Sequence, residues 1–187
     1  MKKAALLILC ALAVTGLVFA KKTAPAGKST GPRTVLLINC GAVSNYTDTQ
    51  GRVWQADRQY KEGEWGAVAG EAVARSDIDI KNTEDDAIYL HERYSMEAYR
   101  IPLPKGVYTV RLHFAECYDG IWQDGQRVFT VLIEGKEVLK SFDVFKEAAD
   151  YNPVVKEFKV KVKDGELTIG FKADVQNPLI NGIEIIQ

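Results

Sequence analysis

Short segments in which apolar and polar residues alternate, separated by turn signals, most strongly constrain what this chain can fold into. In residues 107–114, Tyr108, Val110, Leu112 and Phe114 occupy every second position, with mostly polar residues between them. A repeat of two places these side chains on one face of an extended chain. The segment is therefore predicted to be a half-buried β-strand.

Further segments predict strands and hairpins. The continuous apolar run at residues 34–39 predicts a buried first strand. Glu134-Gly135, directly after the apolar run 128–133, predicts a tight hairpin. A second hairpin is predicted at Asp164-Gly165, because alternating segments precede and follow this pair.

No long segment has helical periodicity, and turn signals recur at short intervals. This pattern predicts an all-β fold, a two-sheet antiparallel β-sandwich with little helix. The loops of such a sandwich gather at its two ends, where binding sites are usually found.

The first 20 residues have the composition of a signal peptide: Lys2-Lys3, an apolar run, and small residues up to Ala20. The run of about 15 residues is shorter than the ~20 that cross a bilayer as a helix, so no membrane span is expected. We predict cleavage near Ala20 and export to the periplasm, the cell surface or the medium. Residues 21–33 lack large apolar side chains and are predicted to be a flexible leader, which leaves 34–187 as one domain.

The charge and the cysteines limit the partners and the crosslinks. The net charge of −1 becomes −3 without the two lysines of the signal peptide, and its mixed signs give no reason to expect nucleic acid. Cys40 and Cys117 remain after cleavage. A disulfide between them and two separate buried thiols both fit an exported chain, and the sequence leaves both alternatives open.

Signatures of catalysis and of metal binding are weak. The chain has only two histidines, and no nucleophile and base pair is apparent around them. The acidic residues at 77–79 and 84–86 do not extend into a calcium loop, so turn capping is their simplest role. We therefore expect no metal, no cofactor and no catalytic residue.

Aromatic residues are frequent in the predicted loops. Aromatic faces stack on the C–H surfaces of sugar rings, and neighbouring polar side chains can hydrogen-bond the hydroxyls. Burial in the core is the alternative for each ring. The residues concerned are Tyr46, Trp54, Tyr60, Trp65, Tyr89, Tyr94, Tyr118, Trp122 and Tyr151.

Several short motifs follow one another in a specific order between about Val35 and Ile186. They include Ile38-Asn39-Cys40-Gly41, Trp54-Gln55-Ala56-Asp57, Glu92-Arg93-Tyr94, Phe114-Ala115-Glu116 and Asn177-Pro178. In this order the motifs resemble the malectin family of carbohydrate-binding β-sandwiches. The resemblance implies that the sandwich is of the jelly-roll or galactose-binding-like type. It further implies lectin-like, non-catalytic binding of glucose-containing oligosaccharides or polysaccharides, by an exported bacterial-type member that can act beside glycan-processing enzymes.

The resemblance also implies sugar contacts at particular positions. Tyr94 and Tyr118 match two family rings that contact sugar. The next family position is aromatic, but here it is Asp119, which offers a hydroxyl acceptor, and Trp122 is the expected replacement ring. Gln176 takes the place of an acidic family contact and keeps the ability to hydrogen-bond.

Two further residues complete the predicted site. Trp65 lies in the region where the family has another aromatic contact. Glu116 is expected to help orient sugar hydroxyls. The predicted protein is a monomer that binds sugar in a cleft formed by loops at one end of the sandwich.

Two other functions remain as alternatives. A small glycoside hydrolase, or an accessory subunit of one, would use two loop carboxylates roughly 5–10 Å apart. An envelope adhesion module would instead recognise protein through an exposed apolar patch.

Overall fold

The computed structural model describes residues 31–187. The strands are β1 (Thr34–Asn39), β2 (Tyr46–Thr47), β3 (Val53–Ala56), β4 (Gly66–Ala74), β5 (His91–Pro102), β6 (Gly106–Phe114), β7 (Val128–Ile133), β8 (Lys136–Phe142), β9 (Val154–Val162), β10 (Glu166–Val175), β11 (Leu179–Ile180) and β12 (Gly182–Ile186). The helices are α1 (Asp86–Tyr89) and α2 (Val144–Ala148). The predicted signal peptide and residues 21–30 of the predicted leader lie outside the described residues. Arg33, at the end of that leader, exchanges two backbone hydrogen bonds with Gln187.

The strands form two six-stranded sheets. The first has the order β2-β3-β1-β12-β6-β9. The second has the order β11-β5-β10-β7-β8, and β4 pairs along the other edge of β5. Apart from the parallel pair β1–β3, the strand pairs are antiparallel. The predicted all-β, two-sheet sandwich with little helix is confirmed.

The main core lies between the two sheets. As the period of two predicts, Tyr108, Val110, Leu112 and Phe114 of β6 are buried. Phe114 makes an edge-on contact with Phe142 of the facing sheet, with ring centroids 5.0 Å apart. Burial of these faces against each other removes apolar surface from water and is the main force that holds the sheets together.

Strand β1 is buried on both faces, as its continuous apolar sequence predicts. Leu36 and Ile38 face the main core, whereas Leu37 joins a second apolar cluster. Trp54 and Tyr89 belong to that second cluster, so it packs beneath α1. This cluster anchors the segment between β4 and β5, which leads into the candidate site.

One predicted hairpin is confirmed and the other is wrong. Strands β7 and β8 pair through the turn at Glu134-Gly135. In contrast, β9 pairs with β6 in the first sheet, and β10 pairs with β5 and β7 in the second. The turn at Asp164-Gly165 therefore carries the chain from one sheet to the other. Alternation places apolar residues inward in either arrangement, so it does not distinguish the two.

The cysteines are separate thiols, so the disulfide alternative is wrong. Cys40 lies in the main core and Cys117 in the second cluster, and both are buried and free. Burial raises the pKa of Cys117 to about 12. Both side chains pack as small apolar groups.

The two helices are short, at four and five residues. Asp143 begins α2 by accepting a hydrogen bond from the Lys146 backbone N–H. Within residues 31–187, no helix combines the length and apolar character needed to cross a membrane.

Candidate functional site

A pocket of about 310 Å³ lies at one end of the second sheet. It is formed by the end of β4, the start of β5, the loop after β6 and the loop after β10. Its lining residues are Val73, Arg75, Glu92, Tyr94, Tyr118, Arg127, Gln176 and Asn177. The structure thus brings together three residues of the predicted site: Tyr94, Tyr118 and Gln176.

Strand β5 supplies both Glu92 and Tyr94 because residues two apart point to the same side of a strand. Arg93, between them, bonds Asp57 instead, with 2.6 Å between Arg93 Nε and Asp57 Oδ2. Gly70 lets β4 approach β5 here. Its φ is +77°, and a Cβ at this position would lie 2.6 Å from the Tyr94 carbonyl oxygen.

Tyr118 presents an accessible aromatic ring at the pocket, with 44% of the residue exposed. The guanidinium carbon of Arg75 lies 5.3 Å from the centroid of this ring, which is a cation–π contact. Gly120 packs against the ring edge, where a Cβ would come within 2.4 Å of Cε1. The ring is therefore held by its neighbours before any ligand arrives.

Beneath the pocket, Glu116 and Arg127 form a buried ion pair. Arg127 Nε donates to Glu116 Oε2 at 2.7 Å, and Arg127 Nη1 donates to the Asn177 carbonyl at 2.7 Å. Glu116 Oε1 accepts from the Tyr118 backbone N–H at 3.2 Å. The pair thus links the two loops that carry Tyr118 and Asn177. Glu116 is buried under Arg127 and does not line the pocket, although the sequence places it among the sugar-contacting residues.

Burial raises the pKa of Glu116 from 4.5 to about 6, although the charge of Arg127 opposes this effect. A carboxyl whose pKa is raised by folding stabilises the protein below its unfolded pKa, and this contribution is lost as the pH rises through the folded pKa. As the pH rises from about 4 to 7, the wild type should therefore lose about 2 kcal/mol of its free energy of unfolding relative to Glu116→Gln. Urea denaturation across this range measures the difference. A difference that does not change with pH would contradict the assignment.

Besides Glu116, three predicted residues do not line the pocket. Trp65 precedes β4, whereas Val73 is near its other end. A strand rises about 3.3 Å per residue, so the two are about 25 Å apart along β4. Trp65 instead stacks on Arg58, with 4.1 Å from the guanidinium carbon to the ring centroid. The structure thus does not bring Trp65 to this pocket.

Asp119 and Trp122 follow Tyr118 in the same loop but lie outside the pocket. Asp119 accepts a hydrogen bond from the Tyr151 hydroxyl at 3.0 Å. Trp122 is 66% exposed. Neither residue lines the pocket.

Sequence reasoning missed five lining residues: Val73, Arg75, Glu92, Arg127 and Asn177. Glu92 could have been found, since it shares a strand face with Tyr94. Arg75 and Arg127 carry no local signal, because their partners are 17 and 11 residues away.

Comparison with known proteins decides the family. A family model described as Malectin domain matches residues 34–184. This chain belongs to the malectin family. The malectin domain is a carbohydrate-binding and ectodomain fold, which supports a non-catalytic binding module.

Relatives of this malectin domain occur in different proteins. Malectin-A of Xenopus laevis is 27% identical over 146 residues, covering 76% of this chain and 51% of that protein. A crystal structure of Bacteroides uniformis β-glucuronidase superposes with a TM-score of 0.74 at 25% identity, covering 80% of this chain and 17% of that one. The crystal structure of the plant peptide RALF23 in complex with FER and LLG2 gives a TM-score of 0.68 at 22% identity, covering 83% of this chain and 48% of that chain. The chain thus spans about half or less of these proteins.

Proposed function

We propose that this malectin domain is a non-catalytic carbohydrate-binding module that works outside the cytoplasm, after cleavage near Ala20. The observation that carries the proposal is the pocket itself. It joins the accessible ring of Tyr118 to the ring of Tyr94 and to the side chains of Gln176 and Asn177. Aromatic faces beside amide donors and acceptors form the surface that a sugar ring requires.

In this proposal, Tyr94 and Tyr118 stack on sugar, and Gln176 orients hydroxyls. The pocket is at the lower end of the ~300–1,000 Å³ range of small-molecule sites, so it suits one or two sugar rings. Trp122 and Asp119, in the loop that carries Tyr118, would contact further rings of a longer chain. Glucose-containing glycans are the first class to test, and the domain is proposed to act as a monomer.

The affinity should be modest. A sugar hydroxyl exchanges hydrogen bonds with water for hydrogen bonds with protein, and the net gain per bond is about 0.5–1.5 kcal/mol. A small pocket offers little apolar area to offset the cost of association. Dissociation constants in the micromolar to millimolar range, about −8 to −4 kcal/mol, are expected.

The pocket geometry argues against a glycoside hydrolase. A hydrolase of this kind needs one carboxylic acid and one carboxylate that both reach the glycosidic bond. Glu116 has the raised pKa of an acid catalyst, but it lies buried beneath Arg127. Glu92 is bound to Arg75 at 2.7 Å. Glu116 therefore does not reach a glycosidic bond, and Glu92 lacks the second carboxyl group that the reaction needs.

A glycan-array screen, followed by calorimetric titration of the best glycan, tests the proposal. Tyr118→Ala should weaken binding about tenfold or more, because the stacking surface is lost. Tyr60→Ala is the matched control, since Tyr60 also lies under an arginine, with Arg100 4.6 Å from its ring centroid, but it does not line the pocket. This control should bind like the wild type. Absence of glycan binding at millimolar concentration would refute the proposal and would favour the protein-binding alternative.

A further inference from the structure

Two polar atoms in the pocket wall are buried and have no hydrogen-bond partner within the described part of the chain. They are Arg75 Nε, a donor, and Glu92 Oε2, an acceptor. The Glu92 side chain is only 2% exposed. An unpaired buried polar group is costly, and such groups in native proteins often mark a binding role.

These two atoms belong to side chains that are bonded to each other. Arg75 Nη2 donates to Glu92 Oε1 at 2.7 Å, which holds the guanidinium against the carboxylate. Each group uses one atom for this bond and keeps another unpaired. The pair therefore has one unpaired donor and one unpaired acceptor on two side chains of the pocket wall.

Adjacent hydroxyls of a pyranose ring complement this arrangement. A hydroxyl is both donor and acceptor, so one hydroxyl can donate to a carboxylate while its neighbour accepts from a guanidinium. Hydrogen bonds with charged partners are stronger than neutral ones, and they also select geometry. An apolar ligand would leave both groups unsatisfied, whereas two neighbouring hydroxyls can each bind one of them.

The charges indicate a neutral sugar. Arg75 is balanced by Glu92, and Arg127 by Glu116, so the pocket holds no unpaired positive charge among its described residues. The carboxylate of an acidic sugar would lie close to Glu92 without a free cation to offset the repulsion.

We propose that Arg75 and Glu92 select a neutral pyranose ring by binding two of its adjacent hydroxyls. One hydroxyl donates to Glu92 Oε2 and its neighbour accepts from Arg75 Nε. The inference rests on the proposed carbohydrate binding and states which groups of the sugar the site recognises.

Arg75 also couples this recognition to stacking. Its guanidinium lies on the Tyr118 ring, 5.3 Å from the centroid, and both unpaired atoms are covered in this structure. A sugar that stacks on this face of Tyr118 has to displace the guanidinium. That displacement uncovers Nε and Oε2 at the place where the hydroxyls arrive.

The test uses methyl α-D-glucopyranoside, its monodeoxy derivatives and methyl glucuronide, titrated by calorimetry. Removal of either of two neighbouring hydroxyls should weaken wild-type binding about tenfold. In Glu92→Gln, removal of one of these hydroxyls should no longer weaken binding. In Arg75→Lys, the same should hold for the other hydroxyl. The glucuronide should bind more weakly than the neutral glucoside.

The matched control is the Arg100–Glu166 ion pair, which has the same 2.7 Å separation and lies outside the pocket. Arg100→Lys and Glu166→Gln should leave every affinity unchanged, and thermal melting should show that all four variants are folded. Deoxy penalties that persist in the Glu92 and Arg75 variants would overturn the inference. Tighter binding of the glucuronide than of the glucoside would also overturn the inference. The same holds if the wild type binds glycans of the array but does not bind the glucoside. A wild type that binds no glycan at all would refute the proposed function itself.

Discussion

Replacement of Asp57 by alanine is expected to lower the free energy of unfolding by about 3–5 kcal/mol. Asp57 Oδ2 accepts three hydrogen bonds: from the Gly41 backbone N–H at 2.6 Å, from Arg93 Nε at 2.6 Å and from the Tyr99 hydroxyl at 2.9 Å. The side chains of Asp57 and Arg93 are both buried. Without the carboxylate, a guanidinium and a phenol remain in the core without their partner, and this desolvation cost is not recovered.

An exposed ion pair provides the control. Glu64 pairs with Arg58 at 3.1 Å, and both side chains are about half exposed. Exposed pairs contribute roughly 0–1 kcal/mol, so Glu64→Ala should change stability little. Urea denaturation of both variants measures the contrast. Equal losses in the two variants would show that the buried pair does not stabilise the fold.

Replacement of Arg127 by methionine is expected to cost a similar amount, about 3–5 kcal/mol at neutral pH. Methionine keeps much of the side-chain volume, but it leaves Glu116 buried without a cation. The hydrogen bond to the Asn177 carbonyl is lost as well, which frees one loop of the pocket. Without the opposing charge of Arg127, burial raises the pKa of Glu116 further than in the wild type. Protonation therefore relieves the unpaired charge already above pH 6, and the destabilisation should become smaller as the pH falls toward about 6.

Arg100→Met is the matched control for this variant. Arg100 binds Glu166 with the same 2.7 Å separation, but its side chain is 43% exposed and that of Glu166 is 25% exposed. A loss below about 1 kcal/mol is expected for this surface pair. If the two arginine variants lost equal stability, or if the loss in Arg127→Met did not depend on pH, the role given to the Glu116–Arg127 pair would be wrong.

The strands could be predicted because alternation is a local property. The inward faces of β6 and β1 follow directly from it. The partner of each strand could not be predicted in the same way. The turn at Asp164-Gly165 shows why, since β9 and β10 have the same pattern whether they pair or face each other across the core.

The site was predicted only in part for a similar reason. Tyr94, Tyr118 and Gln176 occupy positions that the family resemblance identifies, and the structure brings them together. Arg75 and Arg127 take part through contacts with distant residues, which a single sequence does not reveal. Trp65 illustrates the opposite error, because it comes directly before the strand that reaches the pocket, yet it lies about 25 Å along that strand from Val73.

The central claim is that a glycan binds in the pocket beside Tyr94 and Tyr118. The most direct test is to titrate the ¹⁵N-labelled protein with the best array glycan and to follow the backbone amide shifts. The account predicts that the largest shifts occur in residues 73–75, 92–94, 116–122 and 176–177. The alternative location is the groove of about 650 Å³ between β8 and β9, lined in part by Val138, Phe158 and Lys161. Shifts confined to that groove would contradict the account.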